Sequence, residues 1–320
     1  MPTGPMHDTA LTMKIIVIGG FGFVGKHVTR HLLAQGHDTT PLSRRNGLDL
    51  ADPASAAQTL GALRPDAIIN CAAHVGSLHY VSEFAATVLD DNLRMILNLY
   101  RSIRDSCPHA IILNPISNCS YPGDADIQTE PSYWNGAVHE SVWSFANAKR
   151  MLVVTADCYR RQHGIRSVNV IVPNAYGPGD YTDPNRTHAL NGLIIRMLRA
   201  QHGNQPTFTI WGTGKPVREW IFVKDIARLF VLALSHADGL PNPINLGQRH
   251  GYSIADLAAR IKVLSGYEGD LVFDTSKPDG APIKILDDSR FRSQFPDFTF
   301  TDLDDGIRET IAYYRQTLEF

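Results

Sequence analysis

The sequence predicts an α/β fold, a doubly wound parallel sheet followed by a smaller C-terminal α/β unit. Three observations carry that expectation. An apolar run, Ile15 to Ile18, passes at once into glycines and then into apolar residues at helical spacing. Four more short apolar runs alternate with helical stretches, as parallel strands covered on both faces do. After "NAYGPGD", Asn174 to Asp180, the texture changes to a loop rich in Pro, Asn and His, and a second unit begins.

Taken in order, "MKIIVIGGFGFVGKHVTRHLLAQG" reads as strand, tight turn and helix, with Val24, Val28, Leu32 and Leu33 on one helix face and Gly36 closing it. Strands follow at Thr39 to Leu42, Ala67 to Asn70, Ile111 to Asn114 and Val168 to Val172, with helices at Ala86 to Arg104 and Ala148 to Arg161. Further on come a helix starting near Leu190, a strand at Thr207 to Trp211, the turn "GTGKP" and a strand in "PINLG". "YSIADLAARIKVLSG" is a helix with Ser253 as N-cap and Gly266 just past its end. These elements place a Rossmann-type domain at residues 13–178, with 219–250 returning to it. Residues 179–218 and 251–320 form the smaller domain, with a cleft between the two.

Thirty basic and thirty-two acidic residues give a formal charge of −2, which points away from nucleic acid and anionic membranes and towards a small-molecule partner. No run approaches the ~20 apolar residues of a membrane span. Cys71, Cys107, Cys119 and Cys158 lack paired spacing and suit a reducing cytoplasm. Met1 to Thr12 has neither a basic start nor an apolar core and reads as a disordered leader or an extended start, not a signal peptide.

Gly19, Gly22 and Gly25 form GxxGxxG between strand and helix, with Phe23 and Val24 inside the motif. Glycines there permit a tight turn and close approach of backbone to a pyrophosphate, which the helix N-terminus holds. Dinucleotide enzymes that take NAD offer a carboxylate after the second strand, whereas this chain has Ser43, Arg44 and Arg45. Two guanidiniums suit a 2′-phosphate, so NADP(H) is the expected cofactor; a solvated basic loop is the alternative. Asp38 lies at the wrong end of that strand.

With these features in view, the chain resembles the extended short-chain dehydrogenase/reductases, and within them the GDP-L-fucose synthase family of epimerase-reductases. The resemblance runs over nearly all of Met13 to Tyr314 and rests on "SNCSYP", "NAYGPGDYTDPNRTH", "IWGTGKPVREWIFV" and "FDTSKPDGAP". It implies that Asp49 and Leu50 contact adenine, that Cys71, Ala72 and Ala73 pass under the cofactor, and that Pro173 also contacts it. It assigns a catalytic serine, tyrosine and lysine to Ser117, Phe145 and Lys149, and an epimerising thiol and its partner to Cys119 and His188. Asn174, His188, Arg196, Trp211, Arg218 and Lys277 fall where the family contacts a GDP-linked 4-keto sugar. A homodimer formed through the Ala86–Arg104 helix and the Lys149 helix is also implied.

The match is incomplete. Phe145 replaces the tyrosine whose hydroxyl protonates carbon 4, Asn118 stands at a second serine, and Phe21 sits where some members carry arginine. A ketone at carbon 4 acidifies the hydrogens at carbons 3 and 5, so epimerisation needs a base on one face and an acid on the other. Cys119 and His188 suit these roles, with a nearby imidazole expected to lower the thiol's pKa. Three accounts of Phe145 stand side by side: an engineered replacement of tyrosine, a natural epimerase with structural NADP, or a non-catalytic nucleotide-sugar or NADP-binding module. His27 and His31 lie four apart on one helix, but no third ligand accompanies them and no metal is expected.

Overall fold

The computed structural model describes residues 12–277 and 279–319, so the leader expected over Met1 to Thr12 lies, apart from Thr12, outside the described residues. β1 (Lys14–Ile18) enters α1 (Phe23–Ala34) through the glycine turn, and β2 (Asp38–Leu42) leads past a short turn, Arg44–Asn46, to α2 (Pro53–Leu63). β3 (Ala67–Asn70), α3 (Leu78–Glu83), α4 (Ala85–Ser106), β4 (Ile111–Ser117), β5 (Ile127–Gln128), α5 (Trp143–His163), β6 (Ser167–Val172) and β7 (Asn174–Tyr176) follow. Then come α6 (Ala189–His202), β8 (Thr207–Trp211), β9 (Val217–Arg218), β10 (Trp220–Phe222), α7 (Val223–Ser235) and β11 (Ile244–Asn245). The last stretch holds β12 (Tyr252–Ser253), α8 (Ile254–Ser265), β13 (Asp270–Asp274), β14 (Ile283–Leu286), α9 (Ser289–Gln294) and α10 (Leu303–Thr317).

Six strands form the main sheet in the order β11-β6-β4-β3-β1-β2, every neighbouring pair parallel. Residues of β1 alternate between its faces. Ile15 and Val17 join α1 and α7 in one apolar layer, while Ile16 and Ile18 join α2, α4 and α5 in the other. The chain leaves β1 in one direction to build β2 and returns to build β3 on the other side, so a crevice opens beyond the carboxyl ends of β1 and β3. A third apolar cluster gathers α6, α8, α10, β8 and β10. β14 pairs with both β5 and β9, and the buried Glu219 carboxylate accepts backbone N–H groups of Gln248 (2.5 Å) and Leu286 (2.8 Å). These bonds tie three distant segments together.

Two boundaries differ from expectation in ways that matter for the site. α5 begins at Trp143 and not at Ala148, because a one-turn helix at Glu140–Val142, capped by His139, feeds directly into it. Phe145 and Lys149 therefore share one continuous helix. β4 runs on to Ser117, three residues past the expected end, since Pro115, Ile116 and Ser117 still pair with β6. The α8 caps are as expected: the Ser253 hydroxyl accepts the Asp256 N–H, and Gly266 adopts φ +65°.

Candidate active site

The glycine turn is tightly enclosed. Gly19 adopts φ +74°, and a Cβ there would sit 2.8 Å from the Cys71 carbonyl carbon and 2.9 Å from the Ala72 nitrogen. A Cβ on Gly25 would sit 2.2 Å from the Gly19 oxygen. The turn thus backs onto the end of β3 at Cys71 and Ala72, and the first N–H groups of α1, at Phe23, Val24 and Gly25, have no intrahelical or side-chain partner. Arg44 and Arg45 lie exposed on the turn after β2, with the Ser43 hydroxyl accepting the Arg45 N–H, and neither guanidinium has an ion-pair partner among the described residues. Asp49 accepts from the Ala51 N–H (2.9 Å), and the Leu50 carbonyl accepts from the buried Asn98 amide (2.9 Å). A crevice that no Cβ could line, a free helix N-terminus and two unpaired cations fit an anionic dinucleotide.

At the adjoining carboxyl end of β4, the Lys149 ammonium reaches from α5 to donate to the Pro115 carbonyl (3.0 Å) and lies 5.6 Å from the centre of the Phe145 ring. Burial lowers its pKa to about 8, against the opposing influence of Cys119 and Cys71. Cys71 is pushed by burial up to about 12. Ser117, at the end of β4, accepts the Cys119 N–H through its hydroxyl (3.3 Å). Phe145 is buried with Val81 and Val88, and Ala73, Tyr80 and Cys119 pack against that cluster. Ser117, Cys119, Phe145 and Lys149 are thus brought together where β4 meets α5.

The Cys119 thiol departs from expectation. Its pKa is raised, burial being the largest cause, and the main opposing influences are Lys284, the Ser117 hydroxyl and Lys149, not an imidazole. No hydrogen bond joins Cys119 to His188 among the described residues. His188 is instead held by Asp180. Its backbone N–H (2.8 Å) and its Nδ1 (3.0 Å) meet one oxygen of that buried carboxylate, which also accepts from Asn191 (3.0 Å). Burial alone would raise the Asp180 pKa, but the His188 and Asn191 bonds overcome it and leave the carboxyl below its ordinary value. Since a carboxylate only accepts, His188 carries its hydrogen on Nδ1 and presents Nε2. Its ring leans on Phe23, with centroids 5.1 Å apart.

In the C-terminal half, Arg196 stacks over Phe208 (4.9 Å) and Trp211 (5.7 Å), so two of the expected substrate residues share one exposed surface. Arg218, in β9, stands opposite Lys284 of β14 in the strand register. Lys277 is exposed beside Asp274 and is not joined to the others. Asn174 already donates its side-chain amide to the Glu219 carbonyl (3.0 Å), and Pro173 is buried between β6 and β7. His27 Nε2 donates to the Pro178 carbonyl (2.9 Å), which gives it a structural partner. Sequence reasoning missed Lys284 and Asp180. Asp180 stands inside a quoted motif, but nothing local marks it as the residue that orients His188.

A family model described as the NAD dependent epimerase/dehydratase family matches residues 15–247. Among curated proteins, the chain is 31% identical to a probable GDP-L-fucose synthase 1 of Oryza sativa subsp. japonica, covering 94% of this chain and 92% of that protein. It is 30% identical to the GDP-L-fucose synthase of Dictyostelium discoideum, covering 98% and 99%. A GDP-L-fucose synthetase from Naegleria fowleri solved with NADP bound superposes with a TM-score of 0.84 at 28% identity, covering 94% of this chain and 92% of that one.

The Lys149 shift has a sign that can be measured. From about pH 8 up to the ordinary lysine value of ~10.4, the native state binds fewer protons at this group than the unfolded chain, so its contribution to stability rises with pH. Relative to Lys149→Met, the unmodified protein should gain thermal stability between about pH 8 and about pH 10. A difference in melting temperature that stays constant over this range contradicts the buried ammonium.

Proposed function

The chain belongs to the NAD dependent epimerase/dehydratase family, and on that premise we propose that it is an NADP-dependent epimerase/reductase of the GDP-L-fucose-synthase type, acting on a GDP-linked 4-keto-6-deoxy sugar at carbon 3, carbon 5 or both. The observation that carries this reading is the convergence of Ser117, Cys119 and Lys149 around the Phe145 ring, next to a glycine turn shaped for a dinucleotide. We assign the dinucleotide half to 13–178 and 219–250, supported by β11 in the main sheet and α7 packed on α1. The nucleotide-sugar half is 179–218 and 251–320, where Arg196, Trp211, Arg218 and Lys277 offer one aromatic face and three cations to a base and a diphosphate.

In this reading His188 is the base, because Asp180 fixes its Nδ1 hydrogen and leaves Nε2 free. Cys119 is the acid on the opposite face, because burial raises its pKa and keeps it protonated. The Ser117 hydroxyl lies beside it and donates to the sugar's carbonyl oxygen. Bound NADPH supplies the hydride that reduces carbon 4. Lys149 would hold the ribose hydroxyls nearby, while Phe145 keeps the packing of the family's tyrosine and lacks its proton. Reduction should therefore be slow, since a positioned acid typically contributes ~10² to 10⁴ in rate.

Deuterium exchange separates the two halves of the chemistry. The protein in D₂O should label carbons 3 and 5 of a GDP-4-keto-6-deoxy sugar while oxidising NADPH slowly, and Phe145→Tyr should raise oxidation ~10² or more. Cys119→Ser or His188→Asn should suppress labelling. Labelling that persists without both groups removes the epimerase assignment.

The cofactor assignment rests on Arg44 and Arg45. NADPH should bind more tightly than NADH in a calorimetric titration, and the Arg44→Ala/Arg45→Ala double variant should lose that preference. Equal affinities in the unmodified chain would contradict it.

We also place the protein in the cytoplasm as a homodimer. Among the described residues no helix is long and apolar enough to cross a membrane, and the four cysteines are free. α4 and α5 pack side by side, with Leu97, Met151 and Val154 exposed on them, a surface suited to a four-helix contact. Light scattering at micromolar concentration should give twice the chain mass, and Leu97→Glu with Val154→Glu should halve it.

A further inference from the structure

His74, Tyr80 and Asp91 form a chain of hydrogen bonds that none of the steps above uses. His74 Nδ1 lies 2.7 Å from Asp91 Oδ2, and His74 Nε2 lies 2.8 Å from the Tyr80 hydroxyl. The carboxylate only accepts, so Nδ1 carries a hydrogen and Nε2 is the atom that exchanges a proton with the phenol. The imidazole is fixed on both backbone sides: Asn92 accepts the His74 N–H through Oδ1 (3.1 Å) and donates Nδ2 to the His74 carbonyl (2.8 Å). An imidazole bracketed by a carboxylate and a hydroxyl has the arrangement by which side chains relay protons.

Its position ties it to the catalytic helix. Tyr80 and Cys119, both partly buried, pack on the same small cluster that contains the Phe145 ring. Gly76, between His74 and Tyr80, has no room for a Cβ, which would meet the Tyr80 ring at 2.6 Å and the Asn185 carbonyl at 2.8 Å. That carbonyl accepts the Ser77 N–H (2.8 Å) and belongs to the loop that carries His188. The chain therefore lies between Phe145 and the His188 loop, with Cys119 on the cluster it shares. The His74 and Asp91 side chains are 26% and 45% exposed, so the relay reaches solvent, as a purely structural network has no need to do.

Resting on the epimerase reading, we propose that Tyr80 donates to the carbon-4 oxygen of the keto sugar in the place left without a hydroxyl by Phe145, with His74 and Asp91 as its positioning residues. When the base removes the hydrogen at carbon 3 or 5, the C–H electron pair forms the carbon–carbon double bond and the carbonyl π pair moves onto oxygen. The Tyr80 hydrogen, which His74 Nε2 otherwise accepts, passes to that oxygen and leaves a phenolate that takes the same hydrogen back when the ketone re-forms. The reverse transfers accompany reprotonation on the other face, so no proton or electron is left over. This assistance needs no nicotinamide and therefore shows itself in exchange alone.

The test follows labelling at carbons 3 and 5 of GDP-4-keto-6-deoxymannose in D₂O by proton NMR, with no cofactor added. Tyr80→Phe should slow labelling ~10²-fold, and adding Phe145→Tyr to that variant should recover most of the rate by returning a hydroxyl to the same oxygen. His74→Gly should slow labelling ~10-fold, and imidazole in the buffer should restore it, which a packing defect would not allow. Wild-type labelling rates in Tyr80→Phe overturn the proposal and leave the epimerase reading standing. A slow Tyr80→Phe variant that Phe145→Tyr does not rescue, or a His74→Gly variant indifferent to imidazole, also overturns it. An unmodified chain that labels neither carbon overturns the epimerase reading and this proposal with it.

Discussion

The absence of any room for a Cβ at Gly25 and Gly19 is the constraint on which the site's layout depends. Because the Gly19 carbonyl sits where a Gly25 side chain would be, β1 must pass into α1 at closest approach. That places the first turn of α1 against the end of β3. The next residues of the helix then act as a clamp: the Lys26 ammonium donates to the Gly179 carbonyl, and His27 meets the Pro178 carbonyl. Phe23 leans on the His188 ring. A steric rule at the first strand thus fixes a loop about 150 residues downstream, and with it the imidazole that Asp180 orients.

Charge burial is the second constraint. Lys149 is held at the carboxyl end of β4 by the Pro115 carbonyl, with an aromatic ring where a phenol would share a hydrogen bond. An isolated buried ammonium is costly, and a lowered pKa is how a protein relieves it. Nothing about the packing of α5 requires an ammonium here. Its retention beside Ser117 favours a working site over a decayed binding module, the third account that the sequence left open.

Much of the fold was legible because each element carries its own local cause. β3 and β8 lie where their apolar runs place them, and α8 begins and ends on a serine cap and a left-handed glycine. The start of α5 was not, because its first turn is capped by no side chain of its own and its exposed Trp143 breaks the apolar period. The glycine turn and the Arg44 and Arg45 pair were likewise readable from spacing, and the Ser117 to Lys149 grouping from the resemblance. What sequence hid were contacts across elements. The charge of Lys284 acts on Cys119 from β14, Asp180 grips His188 from within a loop, and the thiol's pKa follows burial in place of the imidazole expected to govern it.

These hidden contacts change how the chemistry divides. A thiol kept protonated by burial and an imidazole whose Nδ1 hydrogen is held by a carboxylate, with Nε2 turned away from it, differ in role without needing to touch, and the two faces of a sugar ring require just such a separation. The oxygen at carbon 4 is a third point on that ring, and in this chain the phenol that would serve it is missing from α5. Enolate chemistry with the Ser117 hydroxyl as the one donor left at that oxygen leaves its negative charge only partly matched, and an unmatched buried charge is costly. A site that keeps Ser117, Cys119, Lys149 and His188 therefore gains from a second donor placed elsewhere than at residue 145. The loop after β3 and the helices α3 and α4 are the elements facing Phe145 that carry a hydroxyl backed by an imidazole and a carboxylate.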